Sequence, residues 1–241
     1  MSKMTGRIQE HLFFSDALQE ELTLLIYLPA NFSPLYTYSL LIAQDGQDYF
    51  RLGRIGRQID ALLTNEEIEP LIVVGIPYRD VQDRRDKYHP EGSKHKQYIH
   101  FLAQELVPFL DREFPTHQIG YGRALIGDSL GATISLLTGM LYPNTFGKLI
   151  LQSPFVNEDV LNAVKAYTSK QKLIIFHQIG NDEINVKTTD GLIQNFLSPN
   201  RQLKSVLETK GFSYTYEEFN GDHTWKHWQP ALTPILREMF V

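Results

Sequence analysis

The sequence predicts an α/β fold, with a predominantly parallel central sheet and helices on both faces, in one domain over residues 1–241. Three observations predict it. Apolar, β-rich runs recur along the chain, and most are unbroken, as expected of strands buried on both faces. Segments with helical apolar spacing alternate with them. No repeat, low-complexity tract or linker divides the chain.

The first strand is 22–28, near an antiparallel start to the sheet. Runs 39–43 and 71–76 follow, the latter with the unbroken Leu71-Ile72-Val73-Val74. Residues 79–88 are the most charged stretch and read as a solvated loop of mixed sign beside a buried strand. Segment 97–114 places Phe101, Leu102, Leu106, Phe109 and Leu110 at the spacing of a crossover helix. Strand 123–126 leads through a glycine-rich turn into helix 132–141, which Pro143-Asn144 closes. Strands 148–152 and 172–177 come next, then helix 202–210 with Gly211 at its C-terminal end. Strand 213–219 and a final helix-like run complete the order.

Composition narrows the function. Lys plus Arg number 23 against 28 Asp plus Glu, a net charge of −5 with no basic stripe, so a phosphate backbone has no electrostatic footing. No apolar run approaches membrane-spanning length, and the opening Met1-Ser2-Lys3-Met4-Thr5-Gly6-Arg7 leads into mixed polar sequence, so a cytoplasmic protein without a membrane partner is expected. The absence of cysteine removes thiolate nucleophiles, disulfides and Cys-ligated zinc together. A homo-oligomer stays open.

Gly127-Asp128-Ser129-Leu130-Gly131 lies between the apolar Ala124-Leu125-Ile126 and the helix-like 132–137. A serine hydroxyl is a poor nucleophile unless a tight turn exposes it and leaves room for a base, and the flanking glycines provide that room. The pattern alone arises by chance in about one chain in ten of this length, so its partners decide its meaning. His223 follows strand 213–219 in Asn220-Gly221-Asp222-His223, at a strand end from which an imidazole can reach the serine hydroxyl. His227 makes H-x-x-x-H with His223, but no third ligand completes a metal motif, so neither a metal nor another cofactor is expected. An orienting acid is expected after strand 172–177, where Gly180-Asn181-Asp182-Glu183 offers Asp182 and Glu183. Only one of these neighbours can face the histidine, and composition does not choose. Asp190 reads as a turn or helix cap. For a developing oxyanion, the N–H of Leu130 is one candidate donor, and that of Gln47, in Gln44-Asp45-Gly46-Gln47-Asp48, is the second. Trp225 and Trp228, three apart, read as helix-docking core.

Four segments carry a family resemblance: 43–50 around Asp45-Gly46-Gln47, 126–132 around Ser129, the Gly180 to Glu183 loop, and Gly221-Asp222-His223-Thr224-Trp225-Lys226-His227-Trp228. The chain resembles the Putative esterase branch of the α/β-hydrolase superfamily, which includes enterochelin-type esterases, feruloyl esterases, S-formylglutathione hydrolase and the mycolyltransferases. The resemblance implies an α/β-hydrolase fold and a serine carboxylesterase acting on a small-molecule ester. It implies Ser129 as nucleophile and His223 as base, and favours Glu183 as acid with Asp182 as alternate. It supports Leu130 and Gln47 as oxyanion donors and places the 79–88 loop at the rim of the substrate cleft. The same residues serve an acyltransferase equally, and a non-catalytic binding protein on this scaffold is the reading from another class.

Overall fold

The computed structural model describes residues 5–241; residues 1–4, within the N-terminal stretch read for an export signal, lie outside the described residues. The strands are β1 (Arg7–Ser15), β2 (Glu20–Leu28), β3 (Ser39–Gln44), β4 (Leu71–Ile76), β5 (Arg123–Asp128), β6 (Lys148–Gln152), β7 (Ile174–Gly180), β8 (Val186–Lys187), β9 (Ile193–Gln194) and β10 (Ser213–Phe219). The helices are α1 (Gly46–Arg51), α2 (Ile55–Thr64), α3 (Val81–Tyr88), α4 (His95–His100), α5 (Val107–Glu113), α6 (Leu130–Leu141), α7 (Glu158–Lys165), α8 (Leu197–Glu208) and α9 (Trp225–Met239).

Eight strands form one sheet in the order β1-β2-β4-β3-β5-β6-β7-β10, and β8 and β9 form a separate small hairpin. In the large sheet β1 pairs antiparallel with β2, and β2 with β4, and every other pairing is parallel. All residues of β3, β4, β5 and β6 are buried, which explains their unbroken apolar runs: helices cover both sides of the sheet. Ile59, Leu62, Leu232 and Leu236 bring α2 and α9 onto one face. Leu110, Ile134, Val160 and Leu203 bring α5, α6, α7 and α8 onto the other. After β3 the chain adds β4 on one side and β5 on the other, and the crevice at the C-terminal ends of β3 and β5 is where open α/β sheets hold ligands.

Three expectations from sequence change here. Residues 79–88 are not an open loop: Val81–Tyr88 is helical, and the Asp80 side chain caps it by accepting from the Asp83 N–H at 2.8 Å. Its charges are largely internal, since Lys87 Nζ meets Glu20 at 2.5 Å and Asp83 at 2.9 Å while almost wholly buried. Segment 97–114 is broken by a π-helical turn over Phe101–Leu106, next to Pro108, which has no N–H for the ladder. β1 goes unseen in the sequence because it is an edge strand with exposed apolar residues, Ile8, Leu12 and Phe14, on one side, and His11 and Phe13 against Phe109 on the other. Among the described residues, no helix is long and apolar enough to cross a membrane.

Candidate active site

β5 ends at Asp128 and α6 begins at Leu130, leaving Ser129 alone to reverse the chain. Its φ of 53° and ψ of −123° are costly for a residue with a Cβ, on the order of 1–3 kcal/mol, and such strain persists only when the surroundings enforce it. The enforcement is visible. The Ser129 N–H donates to the Gln152 carbonyl of β6 at 2.9 Å, and a Cβ at Gly127 would sit 2.1 Å from the Gly131 backbone. The first turn of α6 therefore lies directly on the end of β5, as only glycine at 127 allows. All of α6 except Leu141 is buried, so this helix cannot drift away from the turn.

Parallel pairing of β7 with β10 puts Gly180 opposite Phe219, so the loops that follow them meet. The Asn181 N–H donates to the Phe219 carbonyl and the Asp182 N–H to the Gly221 carbonyl. A Cβ at Gly180 would stand 2.3 Å from the Gly221 carbonyl oxygen, so the two loops approach as closely as the backbone permits. Across this junction His223 Nδ1 lies 2.6 Å from Glu183 Oε2. The other Glu183 oxygen accepts from the Ser153 hydroxyl at 2.6 Å and the Gly180 N–H at 2.8 Å, so both oxygens are occupied although the residue is fully buried. Asp182 points to solvent. The imidazole is fixed on two sides, with the Phe196 ring centroid at 4.6 Å and the Trp228 ring edge-on at 4.8 Å.

Ser129, Leu130 and His223 line one cavity of about 280 Å³. Phe155, Val186 and Phe196 give it apolar walls, and Arg84, Arg85 and His89 a polar side. Burial and then Arg85 push the His89 imidazole below its ordinary range, which favours its neutral form. Arg85 also reaches Asp190 at 3.2 Å, tying α3 to the β8–β9 hairpin over the cavity. Asp190 accepts from the Thr188 hydroxyl, as a turn-capping residue does. Gln47 is half-buried at the start of α1 and is not a lining residue of this cavity. Its turn lies beside that of Ser129, because β3 and β5 are parallel neighbours and Asp45 packs on Gly131. The N–H groups of Gln47 and Leu130 stand in first helical turns, where no intrahelical acceptor exists.

His227 turns away from His223, stacking on Phe219 with Nε2 3.2 Å from Asp222. Among the described residues no cluster of three His, Asp or Glu side chains is arranged to hold a metal ion. Trp228 is core, as its spacing suggests, but its Nε1 also donates to the Ser153 hydroxyl at 3.1 Å. Sequence reasoning missed Ser153, an ordinary serine after β6, whose one local oddity, a φ of 49°, leaves no mark in the residue order.

The sheet order, the strained serine turn after β5 and the histidine–carboxylate pair after β10 and β7 define an α/β-hydrolase-fold protein. Residues 15–239 match the family described as Putative esterase, and the chain belongs to it, a class that acts on ester bonds. It is 58% identical over 239 residues to the uncharacterized protein YjcH of Bacillus subtilis (strain 168), covering 99% of this chain and 100% of that one. Its fold is similar to that of a ferulic acid esterase, with a TM-score of 0.78 at 16% identity over 98% of both chains. The enterobactin esterase FES of Shigella flexneri superposes with a TM-score of 0.82 at 18% identity, covering 97% of this chain and 58% of the longer FES chain.

Proposed function

We propose that this protein is a serine carboxylesterase that cleaves small ester substrates through an acyl-enzyme on Ser129. The observation that carries the reading is the buried Glu183 at 2.6 Å from His223 Nδ1, with His223 and Ser129 lining the same cavity. Glu183 accepts from Nδ1–H, which leaves Nε2 as the ring's acceptor. Nε2 takes the Ser129 proton as the oxygen attacks the ester carbonyl, and the resulting oxyanion is held by the N–H groups of Leu130 and Gln47. The imidazolium then gives that proton to the departing alcohol. Water, deprotonated by the same nitrogen, releases the acid and restores Ser129.

Glu183 serves as the acid in preference to Asp182, a choice supported by burial and by the three hydrogen bonds that orient its carboxylate. The cytoplasm is the proposed location, and a small-molecule ester the proposed partner. A hydrolysis panel of short-acyl nitrophenyl esters, feruloyl esters, S-formylglutathione and a catecholate trilactone, run beside Ser129→Ala, tests the reading. Turnover of at least one ester that disappears in the variant is expected; equal turnover by the variant contradicts it. Competing alcohol acceptors in the same assay separate free acid from a transferred ester.

A further inference from the structure

Arg84, on the buried side of α3, makes four contacts of one kind. Nε lies 2.9 Å and 3.0 Å from the two carboxylate oxygens of Asp45, and Nη2 lies 2.6 Å from Asp45 Oδ2. Nη2 also donates to the Asp128 carbonyl at 3.3 Å. That carbonyl belongs to the peptide that enters Ser129. Asp45 directly precedes Gly46-Gln47 and, like Ser129, has a positive φ, 54°. One planar guanidinium thus holds two strained turns, one carrying Gln47 and the other Leu130. The side chain of Asp45 is 2% exposed and that of Arg84 10%, so the pair is out of bulk solvent.

We propose that Arg84, through Asp45, is the positioning residue of the oxyanion site, setting the distance between its two donor peptides. This rests on the reading of Ser129, Leu130 and Gln47 given above. Several neighbours fit the role. The Asp45 N–H donates to the Tyr88 hydroxyl at 3.2 Å, and Tyr98 donates to Gln44 at 2.5 Å, so the turn after β3 is held from the α3–α4 side by three side chains. A Cβ at Gly131 would lie 3.1 Å from Asp45 Oδ2, which places the carboxylate against the first turn of α6. Burial first, and then Asp45, raise the Asp128 carboxyl to about 8. The Asp45–Arg84 pair is itself neutral, so it adds no net charge beside the two turns. Lysine supplies a point charge but not a fork, so it cannot span both turns at once.

The test combines Arg84→Lys and Asp45→Asn with a serine-directed phosphonate and a reversible boronate that mimics the tetrahedral intermediate. The wild type must first form a Ser129 adduct; if it does not, the reading of the site falls, and the proposal with it. With that adduct present, Arg84→Lys lowers kcat about 10–100-fold, leaves KM within about threefold and weakens the boronate by the same factor as kcat/KM. Asp45→Asn, which keeps the arginine, behaves likewise and carries the test if the lysine variant fails to fold. Folded variants of wild-type kcat overturn the proposal, as does a rise in KM at unchanged kcat, which assigns Arg84 to substrate binding.

Discussion

Glu183 holds His223 from behind at 2.6 Å while itself receiving hydrogen bonds from Ser153 and Gly180. The carboxylate has one orientation available, and through it the imidazole has one. Replacement by the uncharged isostere leaves the shape and removes both the charge and the preference for the Nδ1–H tautomer. Glu183→Gln therefore lowers kcat by roughly 10²–10⁴, while Asp182→Asn, at an exposed side chain, stays within about twofold. Steady-state kinetics of the two variants on one ester decide the matter.

Ser153 stands between Trp228 and Glu183, accepting from the indole N–H and donating to the carboxylate. Ser153→Ala leaves the buried Trp228 donor and a Glu183 oxygen each short of a partner, which costs about 1–3 kcal/mol in stability. Turnover falls as well, since the Glu183 carboxylate loses a constraint on its orientation toward His223. Chemical denaturation and kcat measured on the same preparation report both effects. Trp228→Phe removes the indole donor together with part of a buried ring that packs edge-on against His223, so it loosens the fold as well.

The Asp128 carboxyl is raised to about 8, by burial foremost and then by Asp45, with Arg84 opposing; its Oδ1 has no hydrogen-bond partner. A carboxyl raised on folding binds more protons folded than unfolded, so its contribution to stability is complete below its unfolded value, near 3.9, and is lost as pH rises through about 8. Asp128→Asn removes that titration. The variant melts above the wild type at pH 8, by about 2–4 °C for each kcal/mol relieved, and the gap narrows toward pH 4. Thermal melts across this window check the sign.

Gly127 faces Gly131 so closely that an added methyl would stand 2.1 Å from its carbonyl carbon. Gly127→Ala must push α6 off the end of β5, at a cost of about 1–3 kcal/mol or more, and it displaces Ser129 with it. Activity falls further than stability. Comparing the remaining turnover with the melting temperature distinguishes a displaced Ser129 from a loosened fold.

Much of this was legible in the sequence because two features write themselves into residue order. Strands buried on both faces need unbroken apolar runs, so 71–76 and 148–152 match β4 and β6, while 213–219 matches β10, an edge strand with no fully buried residue, on its β-rich composition. A serine turn against a helix needs its two glycines, and the loops after β7 and β10 each announce themselves with one. What stayed illegible depends on approach across distance. Arg84 looks like one charge among many in residues 79–88, and only the packing of α3 on the turn after β3 shows that it meets Asp45. Ser153 becomes a partner of Glu183 through the β6–β7 neighbourhood alone. The choice between Asp182 and Glu183 is a question of which side chain turns inward, which residue identity does not encode.

The proposed reaction turns on Ser129 as its nucleophile. Intact-protein mass spectrometry after treatment with a serine-directed phosphonate, with peptide mapping, tests it most directly. The expected result is a single adduct on Ser129 in the wild type, slowed sharply by His223→Ala and absent from Ser129→Ala. An adduct of equal yield in Ser129→Ala, or a wild type that hydrolyses esters yet never labels at Ser129, contradicts it.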